Sequence, residues 1–145
     1  MFSDTSSIIF LLVSELSSSS MAALSKASAE SAVWWASSVE CHSALNRRRR
    51  HGSLTSSTLN AALTRLRAFI DDAFVVLPTE EARRLAERLL AVHPLRSVDA
   101  LQLASALVWC EQEPSGENFI CLDSRLRTAA EIEGFTLMPE SASLT

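Results

Sequence analysis

SVDALQLASALVWCE, residues 97–111, is apolar around almost its whole circumference when wound as an α-helix, and its polar positions Asp99, Gln102 and Ser105 fall on one stripe. A helix with so little polar surface belongs in the middle of a fold. A carboxylate on it requires a partner or a purpose. Working outward, FICLDSRL, residues 119–126, reads as a strand over 119–122 that hands Asp123 to a helix carrying Leu126, Ala129 and Ala130. Gly134 then breaks into a last strand at 135–138. On the other side, residues 80–92 form a helix with Leu85, Leu89 and Leu90 turned inward, ended by Pro94, and residues 74–77 read as a buried strand closed by Pro78.

The same alternation continues toward the start of the chain. Leu59, Leu63, Leu66 and Ile70 recur at helical spacing up to Asp71 and Asp72. AVWWA, residues 32–36, favours a strand, and Ser37 or Ser38 opens a helix that ends in RRRR, residues 47–50, before Gly52. Phe2, Ser3 and Asp4 are extended, and Thr5, Ser6 and Ser7 offer caps to a helix carrying Ile8, Ile9, Leu11, Leu12 and Leu16. Residues 17–31 are rich in Ser and Ala and read as a loop followed by a short helix around residues 21–29. Strands alternating with helices, without hairpin signals, imply an α/β three-layer sandwich, a parallel sheet with helices on both faces joined by right-handed crossovers. Length and composition, 145 residues with 48% apolar and 21% charged, fit one domain over residues 1–145.

The formal charge of −4, from 17 acids against 13 bases, argues against a protein that coats nucleic acid with positive charge. Cys41, Cys110 and Cys121 are odd in number and widely spaced, which points to reduced core residues rather than a disulfide framework or a zinc site. The apolar stretch over residues 8–13 is too short for a membrane span or a signal core, so a cytoplasmic protein with no membrane partner is expected.

Four acids stand where chemistry would be placed. In open parallel sheets ligands bind beyond the carboxyl ends of the strands. Asp4 and Asp123 each follow a strand, Glu40 lies in the first turn after the second strand, and Asp99 sits on the polar stripe of the buried helix. Converging carboxylates repel one another unless cations bind them. The cations that suit carboxylate oxygens and phosphates are Mg²⁺ or Mn²⁺, and the corresponding reaction is phosphodiester hydrolysis. Each acid also has a structural reading. Asp4 and Asp123 can cap the helices that follow them, Ser37 and Glu40 have the spacing of a capping box, and Asp99 follows Ser97 in a first turn.

With these residues in place, the chain resembles the PIN-domain family, particularly VapC-like toxins of toxin–antitoxin pairs. FSDTS, residues 2–6, looks like the family's opening strand and first acid, and Glu40 matches the acid of the helix after the second strand. LRSVDALQLA, residues 95–104, is similar to the family's most recognisable stretch, and FICLDSRL to its last acid-bearing strand. The resemblance runs in order over nearly the whole chain. It implies a five-stranded parallel sheet, a Mg²⁺ or Mn²⁺ site on Asp4, Glu40, Asp99 and Asp123, endoribonuclease activity on RNA, a small cognate antitoxin and a homodimer. Cys121 departs from the pattern, standing where many relatives carry a hydroxyl residue.

Thr5, Ser6, Arg96 and Arg125 neighbour the acids and could orient them or the substrate, although surface ion pairing explains the arginines equally well. The basic run at 47–50 with His51 is either a phosphate contact or a solvated helix end. Trp34 and Trp35 point to opposite faces of a strand, and both are expected to pack in the core, the alternative being that one is exposed at a dimer or antitoxin surface.

Other classes fit less well. A haloacid-dehalogenase-like phosphatase needs an acid where Ser6 stands, and Lys26, the only lysine, is misplaced for a receiver domain or a P-loop. The alternative is a non-catalytic PIN-like module that binds protein and leaves its acids unused.

Overall fold

A computed structural model describes residues 1–14, 26, 27 and 29–140. In chain order the elements are β1 (Phe2–Ser3), α1 (Thr5–Ser14), β2 (Ala32–Trp34), α2 (Ser37–Arg50), α3 (Ser56–Asp72), β3 (Phe74–Val76), α4 (Glu80–Val92), α5 (Ser97–Trp109), β4 (Asn118–Ile120), α6 (Ser124–Glu133) and β5 (Thr136–Met138). The short helix expected around residues 21–29 falls outside the described residues except at Lys26, Ala27 and Ala29, which are helical.

All five strands are parallel, in the order β3-β2-β1-β4-β5. The chain therefore starts in the middle of the sheet, builds to one side through β2 and β3, and returns to the other side at β4. The reversal lies between β1 and β4, which pair with Phe2 opposite Phe119 and Ser3 opposite Ile120. Such a switch point leaves a crevice at the carboxyl edge of the sheet.

The layers follow from the pleat of β2, whose successive side chains face opposite ways. Ala32 and Trp34 join Phe2, Val76 and Phe119 in a core covered by α4, α5 and α6, while Val33 packs with α1, α2 and α3 on the other face. The α5 helix is the buried helix that its composition predicts, with Ala100, Leu103, Ala104 and Ala106 fully enclosed. Phe2 and Phe119 stack at 5.5 Å between centroids and join the two strands of the switch point. The helix ends use local chemistry. Thr55 and Thr58 form a reciprocal capping box for α3, Thr79 caps α4, and Gly134 closes α6 in the left-handed region at φ 114°.

Three local expectations are corrected. The third strand is not buried: β3 is an edge strand with Phe74 exposed and only Val76 enclosed. Leu90 faces solvent, and Ala82 and Ala86 fill the inner face of α4 beside Leu85 and Leu89. Trp34 is buried as expected but Trp35, just past the end of β2, is 54% exposed. The strand stops at Trp34, so the alternation that would have buried one more residue ends there.

Candidate active site at the carboxyl edge of the sheet

The four sequence-predicted acids line one cleft of about 550 Å³. They come from four places in the fold: Asp4 from the end of β1, Glu40 from α2, Asp99 from α5, and Asp123 from the turn after β4. Thr5, Ser6 and Arg96 share its wall, as does Arg47. Arg125 is exposed on α6 and is absent from the lining.

Asp4 is 3% exposed and receives only uncharged donors. The Ser7 amide donates to Oδ1 at 3.0 Å, the Ser6 hydroxyl to the carboxylate at 2.8 Å, and the Cys121 thiol to Oδ2 at 3.2 Å. Burial pushes its pKa above the ordinary carboxylate value, and these hydrogen bonds only partly offset the rise. Ser6 in turn accepts from the Leu122 amide at 3.0 Å, so one hydroxyl joins the end of β1 to the end of β4. The thiol of Cys121 thus donates across the switch point to Asp4. Its own pKa is raised, first by burial and then by the Asp4 charge.

Glu40 is half-buried, and burial pushes its pKa up to about 7. Hydrogen bonds from Gln102 and Thr5 pull it down, while the charges of Asp4 and Asp99 add to the rise. Glu40 thus senses two other acids across the cleft. Asp99 points at Arg96, whose Nε lies 3.2 Å from Oδ2. Asp123 caps α6, accepting from the Leu126 amide at 3.0 Å through Oδ1.

The capping interpretation therefore divides the acids. Asp4 and Asp123 do cap helices. Glu40 does not, because α2 is preceded by Ala36 with no side-chain cap, and the Glu40 carboxylate turns to Gln102. Nor does Asp99, since α5 begins after Arg96 without a side-chain cap.

Gln102 is the residue that reading the sequence for a site missed, although it stood on the polar stripe with Asp99. It is 2% exposed, and its Nε2 lies 2.8 Å from Thr5 Oγ1, 3.0 Å from Ser37 Oγ and 3.0 Å from Glu40 Oε2. Its Oε1 is buried without a hydrogen-bond partner among the described residues. An amide tying three elements together inside an apolar helix is costly unless each contact is used.

Four carboxylates and an orphaned amide oxygen are hard donors of the kind that Mg²⁺ and Mn²⁺ accept, so the chemistry of the donor set fits such an ion. Among the described residues, no group of three or more His, Cys, Asp or Glu side chains is gathered so as to hold one. The carboxylates turn to the protein donors described above. The cysteines are all free, with Cys41 and Cys121 buried and Cys110 half-buried. Among the described residues no helix is long and apolar enough to cross a membrane.

Comparison with protein-family models and with curated proteins finds no match for this chain.

Proposed function

We propose that this chain is a metal-dependent endoribonuclease of the PIN type, acting as the toxin of a toxin–antitoxin pair. The observation that carries the reading is the convergence of Asp4, Glu40, Asp99 and Asp123 from four separate elements on one cleft at the switch point of the sheet. Capping accounts for Asp4 and Asp123 but not for Glu40 and Asp99 in the same cleft, and the burial that raises Asp4 and Glu40 is a cost that a bound cation offsets. These four residues would hold Mg²⁺ or Mn²⁺, which when bound supplies charge neutralisation at the phosphoryl group and activation of water. The protein's own share is positioning. Ser6 and Cys121 fix Asp4, Gln102 fixes Glu40 and Thr5, and Arg96 and Arg47 stand on the wall where a phosphate would be oriented.

A small antitoxin and a homodimer belong to the same reading. Exposed Trp35, Phe74 and Leu77, on or beside the β2–β3 edge, provide apolar surface for such a partner. The alternative, a PIN-like module that binds protein and leaves its acids unused, is favoured by one observation, that among the described residues no three candidate ligands are gathered around an ion position.

Incubating the purified, antitoxin-free protein with mixed structured and single-stranded RNAs plus Mn²⁺ or Mg²⁺ separates the two. The nuclease reading expects cleavage that chelator abolishes and that Asp99→Asn lowers by roughly 100-fold or more. RNA left intact by folded protein with either metal would transfer the case to the binding module.

A further inference from the structure

The acidic cleft has a neighbour. A second opening of about 590 Å³ lies beside it, and Ser6, Ile9 and Asp123 line both. The α2 helix borders the two together. Glu40, Ser43, Ala44 and Arg47 fall at i, i+3, i+4 and i+7 and line the acidic cleft, so they form one face of the helix. Arg48, turned from Arg47 by about 100° around the helix axis, lines the second opening with Phe10, Val13 and Leu122. Arg49 and Arg50, the rest of the same basic turn, line neither. A favourable interaction with the helix dipole explains why the last turn is basic. It does not explain why two adjacent arginines border two adjoining cavities that share an active-site acid.

We propose that Arg47 and Arg48 are phosphate clamps, one in each of the two openings, and that the substrate strand passes over the shared wall of Ser6, Ile9 and Asp123 from one opening into the other. This assignment rests on the nuclease reading above. A floor of carboxylates repels a phosphate backbone, so a strand crossing both openings needs a cation in each to be held, and the guanidinium fork matches phosphate oxygens. The second opening also has an apolar wall, with Phe10 57% exposed beside Ile9 and Val13. Bases of a single strand can lie against such a wall, whereas a duplex keeps its bases paired and turned inward.

The test is fluorescence anisotropy of a labelled single-stranded RNA, in an Asp99→Asn background that suppresses cleavage, with Mn²⁺ present and salt varied. Arg47→Ala and Arg48→Ala are each expected to weaken binding about tenfold and to lower the log–log salt slope by about 0.7. Arg48→Lys should keep the slope, Arg49→Ala should leave affinity and slope unchanged, and Phe10→Ala should weaken binding at constant slope. The clamp is overturned if Arg49→Ala matches Arg48→Ala, which would indicate a diffuse basic helix end, or if duplex RNA competes as well as single strand. Wild-type protein that cleaves RNA while all the arginine variants bind alike would sink the clamp and leave the nuclease standing. RNA neither bound nor cleaved by any form would remove both.

Discussion

The α6 helix carries a carboxylate at each end, and the two ends of the molecule treat them differently. At the carboxyl edge of the sheet, Asp123 joins Asp4, Glu40 and Asp99 in a cleft where Asp4 meets only neutral donors and its pKa rises with burial. At the opposite edge, Glu133 ends α6 with its side chain 12% exposed, a position disfavoured both by burial and by the negative end of the helix dipole. Burial raises its pKa, but Arg88 at 2.6 Å and His93 at 2.8 Å outweigh that and leave it below the ordinary value. Glu133 is thus compensated by two basic partners, whereas Asp4, the most buried acid of the cleft, is left with neutral donors. A buried acid without a cation costs stability, and a fold retains that cost where something else supplies the charge.

Three experiments sharpen or break this contrast. The largest effect is expected at Gln102, the group that holds Glu40 in the uncompensated cluster. Gln102→Met keeps the length of the side chain and removes its donors, and should lower Mn²⁺ affinity by roughly 10- to 100-fold, read by the electron paramagnetic resonance of free Mn²⁺, while the circular dichroism spectrum stays unchanged. Wild-type affinity in that variant would mean that the cluster does not act as a unit.

Next comes the compensated edge. Glu133→Ala leaves His93 buried without its partner and should cost about 1–3 kcal/mol in urea denaturation, with no change in Mn²⁺ affinity. A loss of metal binding there would erase the distinction between the two edges.

The smallest effect is on pH dependence. Glu40 has a folded pKa of about 7 against an ordinary value of 4.5, so between those values the unfolded chain releases the proton first and stability falls as pH rises. The decline should be about 1 kcal/mol once solvent screening of this half-exposed group is allowed for. Glu40→Gln should flatten it, and saturating Mn²⁺ should reverse it. Glu133 works in the other direction, its contribution being lost as pH falls, so its removal should leave the decline toward pH 7 in place.

Much of the scaffold was legible in the sequence because each element has its own local pattern. The apolar circumference of α5, the 3–4 spacing of Leu59, Leu63, Leu66 and Ile70, and the short runs before Asp4 and Asp123 are decided within a few residues. What local pattern does not carry is the order of strands. FVV reads alike at the centre of a sheet and at its edge, and only the placement of β3 beyond β2 exposes Phe74. Trp35 and Leu90 went the same way, since their neighbours across the fold, or the lack of them, decided their burial. For the acids the ambiguity was of another kind. A cap and a ligand are the same residue type at the same helix start, and Asp4 and Asp123 do act as caps, whereas Glu40 and Asp99 are separated from that role by contacts to Gln102 and Arg96, partners 62 and three residues away respectively. Gln102 was visible as a polar residue among apolar ones, but its three acceptors lie on α1 and α2, far from it in sequence.

The pairing of β1 with β4 also governs when the cleft comes into existence. Asp4 gains its thiol donor from a residue 117 positions later in the chain, and Asp99 and Asp123 join Asp4 and Glu40 only when the last third of the polypeptide is present. During synthesis, α1, α2 and α3 can assemble on β1 and β2 while the floor of the cleft is still missing, and the long loop to be closed makes the β1–β4 docking a late step. By this topology the four-acid cleft is complete only after most of the chain has been translated.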